Sequence, residues 1–98
     1  MIKVKINKNE IIIKGHANFD DYGKDIVCAS CSSIVTASVN DMMVVNKDAV
    51  SFSDNGNEMI IKMILDDDLV NKLFNNLKEL LISLYEDYPK NIIVTKEE

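Results

Sequence analysis

The sequence is short of several residue types, and each shortage excludes a class of structure or function. It has no arginine, and 16 acidic residues outnumber 11 lysines, which gives a net charge of −5. That charge disfavours a phosphate-binding surface, so we expect no direct contact with nucleic acid. The two cysteines are only three residues apart, so a disulfide between them would not cross-link distant parts of the fold. We find no sign of a leader segment, and no continuous apolar run approaches the length of about 18 residues that a membrane span needs. We therefore expect reduced thiols, a cytoplasmic location and no membrane partner.

What is present is the ordinary composition of a globular domain. Of the 98 residues, 47 % are hydrophobic and 28 % are charged, so we expect one domain spanning residues 1–98. Alternating and β-branched runs predict strands at residues 2–6, 11–13, 49–53, 58–65 and 92–94, and an Asp-Asn-Gly-Asn turn joins the third strand to the fourth. Helical spacing predicts helices at about residues 25–44 and 66–88. The fold class is α+β in the order ββαββαβ, a mainly antiparallel sheet packed with two helices.

Each predicted helix has an apolar stripe that should face the sheet. In the first helix the stripe is formed by Ile26, Ala29, Ser33, Ala37 and Val44, widened by Val27, Ile34, Val35, Val39 and Met42. In the second helix it is formed by Leu69, Leu73, Leu77, Leu80, Leu81, Leu84 and Tyr88. Pro89 ends that helix, because proline cannot donate the next backbone hydrogen bond.

One stretch, residues 15–32, concentrates the reactive side chains. It holds the single histidine and both cysteines of the chain. His16 lies where the second strand ends, and Cys28 lies in the first turn of the first helix, with Asp25 as its N-cap. If that helix packs back on the sheet, His16 and Cys28 are neighbours.

This placement suits a nucleophilic thiol. A helix N-terminus lowers the pKa of a cysteine, because the unpaired N–H groups and the positive end of the dipole stabilise the thiolate. An adjacent imidazolium adds an opposite charge. The same N–H groups supply an oxyanion hole for acyl transfer. A Cys–His pair of this kind is typical of thiol proteases.

Other interpretations fit the same residues. A buried cysteine is commonly a small core residue, and a histidine at a strand end is commonly a hydrogen-bonded polar group. Cys28-Ala-Ser-Cys31 matches the C-x-x-C motif of thiol–disulfide redox proteins. A zinc site is less well supported, because His16 and the two cysteines supply three ligands and no further Cys/His pair completes a structural site. We expect no metal.

A longer motif gives this stretch a resemblance to a known family. It contains Gly-His-Ala, a glycine after a short loop, Asp-Ile-Val-Cys-Ala and a serine, at Gly15 to Ala17, Gly23, Asp25 to Ala29 and Ser32. The spacing of twelve from His16 to Cys28 and the later Ser38-Val39-Asn40 also agree. The chain resembles the ribosomal-processing cysteine protease family (Prp, or YsxB-like) of Firmicutes and related bacteria, over essentially its whole length. Cys31 departs from the family, which usually has a small or apolar residue there.

The resemblance implies a cysteine endopeptidase that removes the N-terminal extension of a large-subunit ribosomal protein. It implies a homodimer without metal or other cofactor. Cys28 would be the nucleophile and His16 the general base and acid, while Asp25 and Ser32 would support the site. Gly15 would let the backbone approach closely. A mobile loop would close over the peptide, formed by Asn18, Phe19, Asp20, Asp21, Tyr22, Gly23 and Lys24.

The sequence therefore leaves three alternative functions. The first is the peptidase, whose acidic surface would steer a basic ribosomal protein toward it. The second is a redox protein that uses Cys28 and Cys31, and replacing Cys31 would separate it from the first. The third is a non-catalytic ribosome-assembly factor, which would bind the same basic extension and leave its mass unchanged.

Overall fold

The structure, a computed structural model, describes residues 1–15 and 25–97, and of Asp25 it describes the backbone alone. In these residues the order ββαββαβ is confirmed. The elements are β1 (Ile2–Ile6), β2 (Glu10–Lys14), α1 (Asp25–Val45), β3 (Val50–Asp54), β4 (Glu58–Met63), α2 (Asp68–Asp87) and β5 (Ile92–Lys96). The predicted ends of β1 agree with the observed ones, and the ends of the other strands differ by at most two residues. The predicted fourth strand is too long because the N–H groups of Ile64 and Leu65 both turn to donate to the carbonyl oxygen of Ala49.

The strands form one mixed sheet in the order β3-β4-β2-β1-β5. The pairs β1–β2, β2–β4 and β3–β4 are antiparallel, whereas β5 lies parallel to β1, with Ile2 opposite Ile92. The mainly antiparallel sheet is thus confirmed. The turn between β3 and β4 is as predicted: Gly56 has a φ of 90°, and its N–H donates to the Asp54 carboxylate at 2.9 Å.

The core lies between one face of the sheet and the two helices. Strand residues alternate in the expected way, so that Ile2, Val4 and Ile6 point inward while Lys3 and Lys5 are exposed. Both helices contribute side chains to the same buried cluster. The opposite face of the sheet carries charged pairs, among them Lys14 with Glu58 at 3.4 Å and Lys62 with Glu10 at 3.7 Å.

The prediction of which face of α1 packs in the core is wrong, because the residues predicted at the centre of its apolar stripe are exposed. Ile26 is 59 % exposed and Val44 is 78 % exposed, and Ala29, Ser33 and Ala37 also face outward. The buried line consists of Val27, Cys28, Cys31, Val35, Val39 and Met42. Both lines have helical spacing because the helix carries apolar residues nearly all round. The sheet covers the line with the larger side chains, since these remove more apolar surface from water.

The prediction for α2 is correct in part. Leu77, Leu81 and Leu84 are buried as expected, together with Val70 and Phe74. Leu73 is half-buried, and the predicted core positions Leu69, Leu80 and Tyr88 are exposed. The helix begins after Asp67, whose carboxylate accepts from the N–H groups of the second and third residues beyond it at 3.0 and 3.1 Å. It ends at Asp87, immediately before Tyr88 and Pro89.

Helix α1 also has a composition that the sequence prediction overlooked. Residues Ile26–Val45 form a 20-residue helical segment in which an 18-residue window has a mean hydropathy of 1.3, so the helix is long and apolar enough to cross a membrane. The apolar residues are interspersed with serine, threonine and asparagine, so no continuous run is visible. A core helix passes the same test, and this one contributes Val27, Cys28, Cys31, Val35, Val39 and Met42 to the core.

Candidate active site

Cys28 is held at the beginning of α1 by the pattern of buried residues along that helix. It is the fourth residue of the helix and is 5 % exposed. Helical side chains tilt toward the N-terminus, so its thiol lies over the first turn. The N–H groups of a first turn have no carbonyl within the helix to bond, and the dipole there is positive. The position therefore favours an anionic sulfur.

Cys31 lies one turn further along the same buried line and is fully buried, at 0 % exposure. Burial is the larger cause and the negative charge of Cys28 the smaller, and together they raise the pKa of the Cys31 thiol to about 12. Cys31 is therefore protonated at neutral pH, and as a thiol it is a poor nucleophile. The two cysteines, which are one turn apart, thus have different chemical characters.

Gly15 fixes the backbone at the end of β2. Its φ is +84°, and a Cβ built on it would lie 2.6 Å from the carbonyl oxygen of Met1. Its N–H donates to the carbonyl oxygen of Asn57 at 3.3 Å. One residue thus joins the end of β2 to the start of β1 and to the turn between β3 and β4. Glycine is required because the backbone of the chain's own first residue is the group that approaches closely.

Ser32 lies one turn beyond Cys28 and is half-buried. It lines an open groove of about 480 Å³ along α1, whose other walls are formed by Ser33, Thr36, Ala37 and Asn40. All of these side chains are small or uncharged. The groove can therefore accept another chain at close range, but among its lining residues none is a nucleophile of the Cys28 type.

A larger cleft of about 650 Å³ lies at the end of the sheet opposite Gly15. It is bounded by the turn between β1 and β2, by the segment after β4 and by α2. Its notable polar group is the buried Lys78, whose ammonium donates to the carbonyl oxygen of Lys8 at 3.0 Å and lies 5.1 Å from the ring centre of Phe74. The burial of Lys78 was not predicted from the sequence, although its position four residues after Phe74 places it on the buried stripe of α2.

Several predicted site residues lie outside the described residues: His16, the loop at residues 18–24 and the side chain of Asp25. The expected approach of His16 to Cys28 stays a prediction. Within residues 1–15 and 25–97, no three His, Cys, Asp or Glu side chains are grouped so that they could hold a metal ion.

Comparison with known proteins gives consistent results along the whole chain. The sequence model of the family described as "Cysteine protease Prp" matches residues 1–93. A protein of Mycoplasma genitalium is 32 % identical over 99 residues, which cover 99 % of this chain and 97 % of the relative. A protein of Staphylococcus aureus is 30 % identical over 101 residues, covering 94 % and 95 %. Both relatives are named "Ribosomal processing cysteine protease Prp".

Solved structures agree with the fold. The chain matches an essential ribosomal processing protease of S. aureus in complex with a substrate peptide, with a TM-score of 0.88 and 25 % identity, covering 99 % of this chain and all of the other. The same protease with a covalently linked product peptide gives a TM-score of 0.85 and 27 % identity, with the same coverage. A Streptococcus mutans protein gives 0.88 and 27 %, covering 98 % and 93 %.

Proposed function

The chain belongs to the cysteine protease Prp family, and on that premise we propose that Cys28 is its nucleophile and that His16 is its general base and acid. The family match spans residues 1–93, and the named relatives act in ribosomal processing. The chain is therefore a cysteine protease of a ribosomal-processing family. The catalytic residues and the identity of the substrate are our proposals.

The observation that carries the proposal is the position of Cys28. Its thiol lies at the positive end of α1, where an anion is stabilised. The other cysteine, Cys31, is fully buried and its pKa is raised to about 12, so it is not the nucleophile. The structure of a relative with a covalently linked product peptide is consistent with covalent catalysis in this family.

In the proposed reaction the Cys28 thiolate attacks the carbonyl carbon of the scissile bond. The N–H groups of the first turn of α1 stabilise the oxyanion that forms. His16 donates a proton to the leaving amine and then takes one from water, which hydrolyses the acyl-enzyme and restores the thiolate. Asp25 and Ser32 support this arrangement, and the loop at residues 18–24 closes over the bound peptide.

We propose that the substrate is the N-terminal extension of a large-subunit ribosomal protein. Ribosomal proteins are basic, and the chain has a net charge of −5, so opposite charge steers the two together. The substrate peptide bound to the S. aureus relative supports a peptide as the ligand of this fold. The reaction takes place in the cytoplasm, where ribosomes are assembled, and it uses no metal or other cofactor.

We also propose that the active form is a homodimer. The outward line of α1, formed by Ile26, Ala29, Ser33, Ala37 and Val44, is an uncharged surface with small side chains at its centre. Small residues let two helices approach closely, and burying this line removes apolar surface from water. A second copy of the chain is the occupant that we assign to it, and sedimentation velocity measures whether the pair forms.

The test is to incubate a synthetic peptide spanning the proposed extension and its junction with wild-type chain or with Cys28→Ala. We expect two product masses with wild type and none with Cys28→Ala, whose far-ultraviolet circular dichroism should match that of wild type. Undiminished cleavage by Cys28→Ala would overturn the assignment. His16→Ala should lower the cleavage rate by at least about 100-fold, since a positioned acid–base group contributes 10² to 10⁴.

Cys31→Ser is the matched control for Cys28→Ala, because it removes the neighbouring thiol of the same helix. A protease should keep its basal activity in this variant, whereas a dithiol redox protein would lose its activity. Binding of the peptide without any change in its mass would instead support the non-catalytic assembly factor.

A further inference from the structure

We propose that Cys28 and Cys31 form a reversible oxidation site, in which a peroxide oxidises Cys28 and Cys31 then closes a disulfide that stops proteolysis. The proposal rests on the proposed function, since it regulates the same nucleophile. Both residues are thiols in the structure, and both belong to the buried line of α1.

The first support is the geometry of the helix. Two residues three apart differ by a rise of about 4.5 Å and face nearly the same direction, which places their Cα atoms about 5 Å apart. Disulfides join Cα atoms that are about 4.4 to 6.8 Å apart, so the backbone separation is suitable. Both side chains point to the core side, and neither has to cross the helix to meet the other.

The second support is the place of the pair within α1. In a regular helix the Cβ atoms at this spacing are further apart than a disulfide requires, so the backbone must adjust locally. Cys28 is the fourth residue of the helix, and the adjustment therefore falls on the first turn. That turn has the fewest hydrogen bonds within the helix to lose.

The third support is the difference between the two thiols. Cys28 is 5 % exposed and lies at the positive end of the helix, where it is the thiol that meets a small oxidant. Cys31 is fully buried, with its pKa raised to about 12 by burial and then by the charge of Cys28. Oxidation of Cys28 to a neutral sulfenic acid removes the charge of Cys28. The part of the rise in the Cys31 pKa that this charge causes is therefore lost only after Cys28 has been oxidised.

Hydrogen peroxide is the oxidant in the proposed reaction, and it takes two electrons from Cys28. The Cys28 thiolate attacks one peroxide oxygen, so that an S–O bond forms and the O–O bond breaks. The released hydroxide takes up a proton to become water, and Cys28 has lost two electrons. The Cys31 sulfur then attacks the Cys28 sulfur, an S–S bond forms, the S–O bond breaks and water leaves with the Cys31 proton. A dithiol reductant restores both thiols by disulfide exchange.

The experiment treats the reduced chain with several equivalents of hydrogen peroxide, enough to carry an unprotected thiol to the sulfinic acid, and reads the intact mass and the peptide cleavage. We expect wild type to lose two hydrogens, to lose most of its cleavage activity and to recover it after dithiothreitol. Cys31→Ser should keep its basal activity but should gain one or more oxygens under peroxide. Once it has passed to the sulfinic acid, dithiothreitol should not restore it. Cys31→Ala, which adds no polar group to the core, repeats the comparison if the serine variant is unstable.

Two results would overturn the proposal. The first is wild type that gains oxygen without losing two hydrogens. The second is a Cys31 variant that recovers after dithiothreitol as fully as wild type does. The mass is read without peptide, so its outcome does not depend on proteolysis. A chain that forms the disulfide but cleaves nothing would support the oxidation site and would overturn the proposed function instead.

Discussion

Two glycines with positive φ provide a matched test of how the end of β2 is held. Gly15 has a φ of +84° and Gly56 a φ of +90°, so alanine is strained at both positions. At Gly56 an added Cβ meets nothing within 4 Å, whereas at Gly15 it lies 2.6 Å from the carbonyl oxygen of Met1. The pair of alanine variants therefore separates backbone strain from a steric clash.

The magnitudes follow from these contacts. The left-handed conformation costs an L-residue about 1–2 kcal/mol, so Gly56→Ala should lower the free energy of unfolding by about that amount. Gly15→Ala carries the same penalty and also forces two backbone segments apart. Overpacking of that kind typically costs about 1–3 kcal/mol more. In a domain of this size each kcal/mol corresponds to a change of roughly 4–8 °C in melting temperature.

The assay is urea and thermal unfolding of the three proteins, followed by circular dichroism. We expect Gly15→Ala to melt well below Gly56→Ala. At a temperature where both variants are folded, peptide cleavage should fall in Gly15→Ala alone, because residue 15 precedes the proposed base, His16. Equal losses of stability in the two variants would refute the view that the Met1 carbonyl oxygen restricts this position.

Two further predictions concern a buried thiol and a helix cap. The pKa of Cys31 is raised from 9.0 to about 12 in the folded chain, so the unfolded chain loses this proton first as the pH rises. The protonated Cys31 thiol therefore makes its full contribution to the free energy of unfolding below pH 9, and this contribution is lost as the pH rises toward 12. The free energy of unfolding should fall by up to about 1.4 kcal/mol per pH unit in this range. Urea unfolding at several pH values should give a shallower decline for Cys31→Ala than for wild type. Asp67→Ala removes the acceptor of two N–H groups at the start of α2 and should lower the free energy of unfolding by about 1 kcal/mol, measured in the same way.

The element order was predictable because each element has a local cause. The alternation of Ile2, Val4 and Ile6 is sufficient for β1, and Gly56 with its neighbours is sufficient for the turn between β3 and β4. The parallel pairing of β5 with β1 was not predicted, since strand neighbours are chosen by long-range packing. The core line of α1 was predicted wrongly because both of its apolar lines have helical spacing, and the sequence alone does not say on which side the sheet lies.

Within the described part of the candidate site, the position of Cys28 was predictable, whereas the roles of His16, Asp25 and the loop at residues 18–24 stay predictions. The position of Cys28 in the first turn of α1 followed from helical spacing, and the structure places it there, one residue further into the helix than expected. The contact that explains Gly15 was not visible in the sequence, because Met1 comes near it only when β1 and β2 pair. The burial of Lys78 was likewise missed, since its acceptor, Lys8, is distant in the sequence.

The parallel pairing of β1 with β5 has a consequence for biosynthesis. One edge of β1 is covered only when Ile92 and its neighbours arrive, about 90 residues after the strand itself has been made. At a translation rate of about 5–20 residues per second, the nascent chain presents that bare edge for roughly 5 to 20 seconds. Lys3 and Lys5, which project from this strand, place charge along the bare edge in that interval and oppose its pairing with another nascent chain.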